Sequence, residues 1–314
     1  MQSVILNKEG FAFKQTDRPV CKNDEVLVRT VSCGICEGDV VAYRNVVNGG
    51  ACHDVSFGHE GTGIIVETGP NARNLESGAL VTVNGCRLSG NFNEFFLVNA
   101  SDVHVLPKSV DATALHGEPV ACCVHGMRRS GINMRSRVVV LGCGYMGLIC
   151  MKLAILQGAR EIVAVDPIEW RLRTAMEFGA RQVYTSLEAD SIAAESFDVV
   201  IEAAGVQQTI DKAVDLVKEH GRILVFGAHR SNGGMRNVNM NDLNYKAVDL
   251  INAHVRRDNE KMDALAEAVE LVLDGRLEVA RLVTPYPITE INVAMQDLVT
   301  RKEGLFKASV VYPA

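Results

Sequence analysis

Val138-Val139-Val140-Leu141 runs straight into Gly142-Cys143-Gly144-Tyr145-Met146-Gly147, and a helical stretch over 146–157 follows. An unbroken apolar run of this kind predicts a strand buried on both faces, as in the interior of a parallel sheet. Each glycine of the G-x-G-x-x-G spacing answers a separate need. Gly142 permits the tight turn, Gly144 lets backbone approach a pyrophosphate, and Gly147 lets the helix pack close to the strand. The turn would set a dinucleotide's pyrophosphate on the helix N-terminus, with Tyr145 and Met146 between the glycines that hold it. A second strand, 162–165, ends at Asp166, 24 residues beyond Gly142. A carboxylate there accepts hydrogen bonds from ribose hydroxyls and repels the extra phosphate of NADP, so NAD is the expected cofactor.

Further strands are expected at Gln182–Tyr184, 198–201, 222–226 and 248–252, with helical patterns between most of them. Residues 259–273 give the clearest helix: Met262, Leu265, Ala266, Val269, Val272 and Leu273 recur at helical spacing. Strands alternating with helices imply a doubly wound parallel sheet. The first third reads differently. Short β-like runs at 25–31, 63–67, 80–84 and 95–98 are punctuated by Gly and Asn, as in a small, mostly antiparallel β domain. The pattern changes near Thr113, and β character returns at 279–283 and Lys307–Val311. The nucleotide-binding part is therefore expected as an insertion in the β domain, and 314 residues are enough for two cores.

The chain is 47% hydrophobic and 22% charged, with net charge -6, which argues against nucleic acid as a partner. No stretch approaches the roughly 20 apolar residues of a membrane span. The start, MQSVILNKEGF, lacks the apolar core of a signal peptide. These features predict a cytoplasmic protein that binds neither membrane nor nucleic acid. Its nine cysteines are then ligands or small core residues rather than disulfides.

Cys36, His59-Glu60 and Glu118 offer thiolate, imidazole and carboxylate donors, the kinds that hold a zinc with one position open for chemistry. No local spacing links them, so only the fold can bring them together. Asp39 is a candidate acceptor for the other N–H of His59. Glu118 precedes Pro119, which is favoured in a helix's first turn. Cys21, Cys52, Cys86, Cys122, Cys123 and Cys150 are read as structural and Cys33 as a weak ligand candidate, while His53, His116, His125 and His254 are candidates to line a cleft.

In order, these residues resemble the medium-chain dehydrogenase/reductase family, in particular its zinc-dependent alcohol and polyol dehydrogenases of the sorbitol and threonine dehydrogenase branch. The resemblance runs through Gly34-Ile35-Cys36-x-x-Asp39, Gly58-His59-Glu60-x-x-Gly63-x-x-x-Glu67-x-Gly69, Glu118-Pro119-x-x-x-x-x-His125, the glycine turn, Asp166 and Lys307. It implies a GroES-like catalytic domain (1–115 and 276–314), an inserted Rossmann domain (116–275) and an active site in the cleft between them. It also implies Cys36 and His59 as zinc ligands, Glu60 as a ligand or a close neighbour, and Glu118 reaching zinc directly or through water. Lys307 would stand near the cofactor pyrophosphate, and the assembly would be a homodimer or homotetramer.

Three departures from the family pattern stand out. Many relatives hold a structural zinc on four closely spaced cysteines, whereas 83–95 contains only Cys86, so one catalytic zinc is expected. Gly38 stands where relatives carry Ser or Thr, and Val41 where a histidine is common, which removes the familiar proton relay; Glu37, Tyr43 or water are substitutes. The expected activity is NAD-dependent oxidation of a secondary alcohol: a polyol, cyclitol, amino-sugar or amino alcohol. The alternatives are a redox-neutral zinc/NAD reaction, such as elimination, epimerisation or dismutation after transient oxidation, and a non-catalytic nucleotide-binding protein.

Overall fold

The computed structural model describes residues 1–51, 57–72, 74–85, 90–187, 191–230 and 232–313. Cys52, His53 and Cys86, and with Cys86 the core of the 83–95 stretch, lie outside the described residues. The chain divides into two compact units, one of residues 1–121 and 261–314 and one of 122–260.

The first unit opens with a hairpin of β1 (Gln2–Asn7) and β2 (Gly10–Gln15), followed by β3 (Glu25–Gly34) and α1 (Glu37–Val47). Then come β4 (Glu60–Thr68), β5 (Leu80–Val83), β6 (Phe95–Asn99), β7 (Val103–Leu106) and α2 (Gly117–Met127). Val26 and Val28 of β3, Ile65 of β4, Val81 and Val83 of β5, and Phe96 and Val98 of β6 interlock in one buried cluster. A second cluster gathers around Phe11, which stacks on Tyr43 at 5.8 Å and meets Phe57 and Phe92 edge-on.

The second unit holds β8 (Arg137–Leu141), α3 (Tyr145–Leu156), β9 (Glu161–Val165), α4 (Glu169–Glu177) and β10 (Gln182–Tyr184). It continues with β11 (Phe197–Glu202), α5 (Gln207–Leu216), β12 (Val217–Val225), α6 (Met240–Tyr245) and β13 (Asp249–Asn252). All pairings are parallel, in the order β10-β9-β8-β11-β12-β13. Counted from β8, this is the 3-2-1-4-5-6 order of the doubly wound dinucleotide fold. Val138 through Leu141 are fully buried, as the unbroken apolar run requires.

α7 (Asp258–Leu273) leads back to the first unit, which closes with β14 (Val283–Pro287), α8 (Ile291–Val299) and β15 (Lys307–Val311). β15 lies parallel to β14 and antiparallel to β3; β3-β4, β4-β5, β5-β7 and β3-β6 are all antiparallel. The strand expected at 279–283 is corrected here: Val279–Leu282 is a 3-10 turn, and the strand runs Val283–Pro287. Val279 and Leu282 are both buried; at this spacing they share one face of a three-residue turn, and a short apolar run does not distinguish the two forms.

Candidate active site

The metal candidates rest on the end of β3 and the start of β4. Cys36 is the N-cap of α1, and Asp39, three residues on, reaches back so that its Oδ2 accepts the Cys36 N–H at 3.0 Å. This is the carboxylate half of a capping box. The other Asp39 oxygen accepts the Gly58 N–H at 3.2 Å, so one buried carboxylate fixes the backbone beside both Cys36 and His59. Burial raises the Asp39 pKa, against the opposing pull of His59 and the two N–H groups.

Donor atoms of Cys36, His59 and Glu60 all lie within 4.8 Å of one another. Burial pulls the His59 pKa down, but the Cys36 side-chain hydrogen bond and the charges of Glu60, Cys36 and Glu118 override it and carry it up to about 10. Glu118 lies in the first turn of α2, outside the three-donor set but within electrostatic reach of His59 and Lys307.

Behind these donors is a buried ion pair. Lys307 Nζ donates to Glu60 Oε1 at 2.7 Å and stands 2.5 Å from Oε2, with both side chains almost fully enclosed. Burial works against the Glu60 carboxylate, yet Lys307 and His59 outweigh it and hold its pKa below the usual value; the Lys307 pKa is correspondingly raised. Lys307, expected beside the cofactor pyrophosphate, therefore has its ammonium on Glu60. His116, fully enclosed next to the pair, is held neutral chiefly by burial, with its pKa near 4.

Register explains how residues so distant in sequence meet. Gly34 pairs with Glu60 of β4 on one side and with Ser309 of β15 on the other. A Cβ on Gly34 would run into Glu60 Oε2, with Lys307 Cε and His116 Cδ2 close behind. The missing side chain is the space in which the pair forms. Gly34 and Glu60 both belong to the sequence motifs, but nothing local to either announces this contact.

Tyr43, named as a substitute proton carrier, is buried in the Phe11 cluster, and its hydroxyl accepts from Gln296 Nε2 at 2.9 Å. Gly38 and Val41 both lie in α1.

In the second unit the glycine turn takes the shape its spacing demands. Gly142 has φ +102°, and a Cβ on Gly147 would strike the Gly142 carbonyl. Gly144 is the N-cap of α3 and would carry a Cβ into open space. Asp166 accepts the Cys143 N–H at 2.8 Å on Oδ2 and the Ile168 N–H at 2.9 Å on Oδ1, while Arg171 stands 3.8 Å away. Tyr145 opens α3 and is buried; the sulfur of Met146 lies 3.6 Å from Cys123 Sγ.

The model of the zinc-binding dehydrogenase family matches residues 146–272, and that of the alcohol dehydrogenase GroES-like domain matches residues 22–108. The chain is 23% identical to D-arabinitol dehydrogenase 1 of Uromyces fabae, across 93% of this chain and 92% of that protein. It is 26% identical to galactitol 1-phosphate 5-dehydrogenase of Escherichia coli strain K12, across 72% of this chain and 75% of that one. The crystal structure of galactitol-1-phosphate dehydrogenase from Escherichia coli superposes with a TM-score of 0.86 at 21% identity, covering 99% of this chain and 100% of that chain, a likeness of fold.

Proposed function

We propose, for a chain that belongs to the zinc-dependent medium-chain dehydrogenase/reductase family, that it transfers a hydride between a secondary alcohol of the polyol class and NAD at a single zinc. The observation that carries this reading is the convergence of the Cys36, His59 and Glu60 donors within 4.8 Å. Thiolate, imidazole and carboxylate together fit zinc, and three protein ligands leave a position for an alcohol oxygen. When bound, the metal supplies Lewis-acid polarisation of that oxygen and the nicotinamide takes the hydride.

The chain's own residues do the positioning. Asp39 locks the backbone on either side of the donors. Lys307 neutralises Glu60, so three acidic groups (Cys36, Glu60 and Glu118) do not face the metal without compensation. Gly144 leaves its backbone open to the pyrophosphate. Each Asp166 oxygen keeps a lone pair for a ribose hydroxyl after accepting its backbone N–H. This supports NAD over NADP.

The reading keeps one catalytic zinc and no structural one. It also keeps a homodimer or homotetramer, supported by β13: this strand is outermost in its sheet and Leu250 is 45% exposed. No helix among the described residues is long and apolar enough to cross a membrane. The test is zinc per chain in freshly purified protein, followed by NADH formation on a polyol panel with NAD and NADP compared. About one zinc per chain and NAD-dependent turnover are the expected result. A chain that stays zinc-free after zinc is supplied would sink the metal-assisted mechanism.

A further inference from the structure

The second unit gathers cationic side chains at a place the glycine turn does not use. His125 near the end of α2, Arg129 just past it, His254, Arg256 and Arg257 after β13, and Glu260 at the start of α7 line a cavity of about 490 Å³. It is a recess half open to solvent, and Arg129, His254, Arg256 and Arg257 in its lining are exposed. The local chain explains the lining. Ala253 and Val255 are buried while His254 and Arg256 between and beyond them are exposed, the alternation of an extended segment that sets His254 and Arg256 on one side.

Two of the arginines are anchored. Arg129 Nη1 donates to the Asn252 carbonyl at 2.5 Å, which ties the segment after α2 to the end of β13. Arg256 Nη1 donates to the Val255 carbonyl at 2.9 Å. Each guanidinium has five N–H donors, so most remain for a ligand. Glu260 is paired with Arg257 at 3.0 Å, which leaves the charges of Arg129 and Arg256 uncompensated within the lining. Burial, and after it the neighbouring arginines, hold His125 and His254 below the ordinary histidine pKa; Glu260 opposes this at His125.

The location points to a ligand as well. His229 and Arg230, which act on His254, follow β12, and 253–257 follow β13, so the cavity lies at the carboxyl edge of the parallel sheet. Ligands of open α/β sheets bind at that edge. β13 is three strand positions from β8, about 14 Å at the usual strand spacing. Asp166 follows β9, on the opposite side of β8. A dinucleotide with its pyrophosphate on the β8 turn and its adenosine at Asp166 therefore extends its other half over β11 to β13, toward this cavity.

We propose that the cavity lined by Arg129, Arg256, Arg257, His125 and His254 binds a phosphoryl dianion. Two unpaired guanidiniums match its two charges, and their forked donors match its oxygens. Assigning that dianion to the phosphate ester of a polyol-phosphate substrate rests on the hydride-transfer reading; the binding of a phosphoryl group does not.

The test is isothermal titration of inorganic phosphate into the full chain saturated with NAD, at constant chloride, for the parent and for Arg256→Gln. One phosphate per chain is expected to bind saturably, with affinity about tenfold or more weaker in Arg256→Gln and partly restored in Arg256→Lys. NAD affinity and melting temperature report that the variants are folded. No saturable binding, or equal affinity in parent and Arg256→Gln, overturns the proposal. Displacement of phosphate by galactitol 1-phosphate but not by galactitol assigns the site to an organic phosphate ester. Displacement by neither assigns it to free phosphate; in both cases the cavity is a phosphoryl site. If phosphate binds while hydride transfer fails on every alcohol, only the substrate assignment falls.

Discussion

Under the proposed function, the glycine turn of the second unit and the donor cluster of the first would each hold a charged group, by different means. The turn works with backbone: Gly142, Gly144 and Gly147 lie within six residues, and what matters is where side chains are missing. The cluster works with the polar and charged side chains of Cys36, His59, Glu60, His116, Glu118 and Lys307, on segments far apart in the chain. A backbone site is robust to everything except added atoms. A charge cluster is robust to none of its members being removed, because each one balances another.

Four sets of substitutions set this contrast against measurement. Cys36→Ser removes the thiolate donor and is expected to cost roughly a thousandfold in turnover, since loss of metal assistance forfeits several kcal/mol at about 1.4 kcal/mol per tenfold. Metal analysis should show zinc content falling with it, and turnover near the parent rate would remove Cys36 from the ligand set.

Lys307→Met leaves Glu60 buried without its cation and is expected to cost about 3–5 kcal/mol in urea unfolding. The double variant Glu60→Gln, Lys307→Met should recover most of that loss. Failure to recover would mean that the two side chains contribute independently.

The glycines of the turn separate folding from binding. In Gly147→Ala the new methyl meets the Gly142 carbonyl, so stability is expected to drop by about 1–3 kcal/mol. In Gly144→Ala the methyl meets nothing within the chain, so the melting temperature should hold. NAD affinity should nonetheless fall about tenfold or more, because the methyl stands where the pyrophosphate approaches. Equal melting losses for both would end the distinction between a packing glycine and a ligand glycine.

The smallest effect belongs to a partly exposed pair. Burial raises the Asp198 pKa, but Lys218 and the Arg137 N–H outweigh it and hold the carboxyl below its usual value. A depressed folded pKa stabilises above the unfolded value, and the gain disappears as pH falls through the folded value. Asp198→Asn is therefore expected to cost about 0.5 kcal/mol at neutral pH, after allowance for solvent screening, and nothing in strong acid. Thermal melts at both pH values check this; an equal difference at both would place the effect outside electrostatics.

The two regions also differed in how far the sequence could be read. β8, the turn and α3 follow from a contiguous stretch, because each requirement is met within one strand and one helix. The strand order follows from the alternation around them. In the first unit, β3 to β6 are visible as apolar runs between turn residues. The β1–β2 hairpin and α1 are not, since short strands and a helix interrupted by glycine give weak periodicity. Cys36, His59 and Glu60 were readable as donors by residue type. That Lys307 neutralises Glu60 was not, because the contact depends on the pairing of β4, β3 and β15, a tertiary fact with no local trace. Asp39 was expected against the His59 ring, and the structure places its oxygens on the Cys36 and Gly58 N–H groups.

The Glu60–Lys307 contact joins residues 247 positions apart, with the whole of the second unit encoded between them. At usual translation rates roughly 12–50 seconds separate the appearance of the two side chains. Residues 122–260 form one uninterrupted stretch made within that interval, whereas the β domain must wait for the lysine partner of Glu60. On the ribosome, then, the part of the protein that begins first is completed last, and a chain stalled before β15 lacks the lysine that Glu60 pairs with.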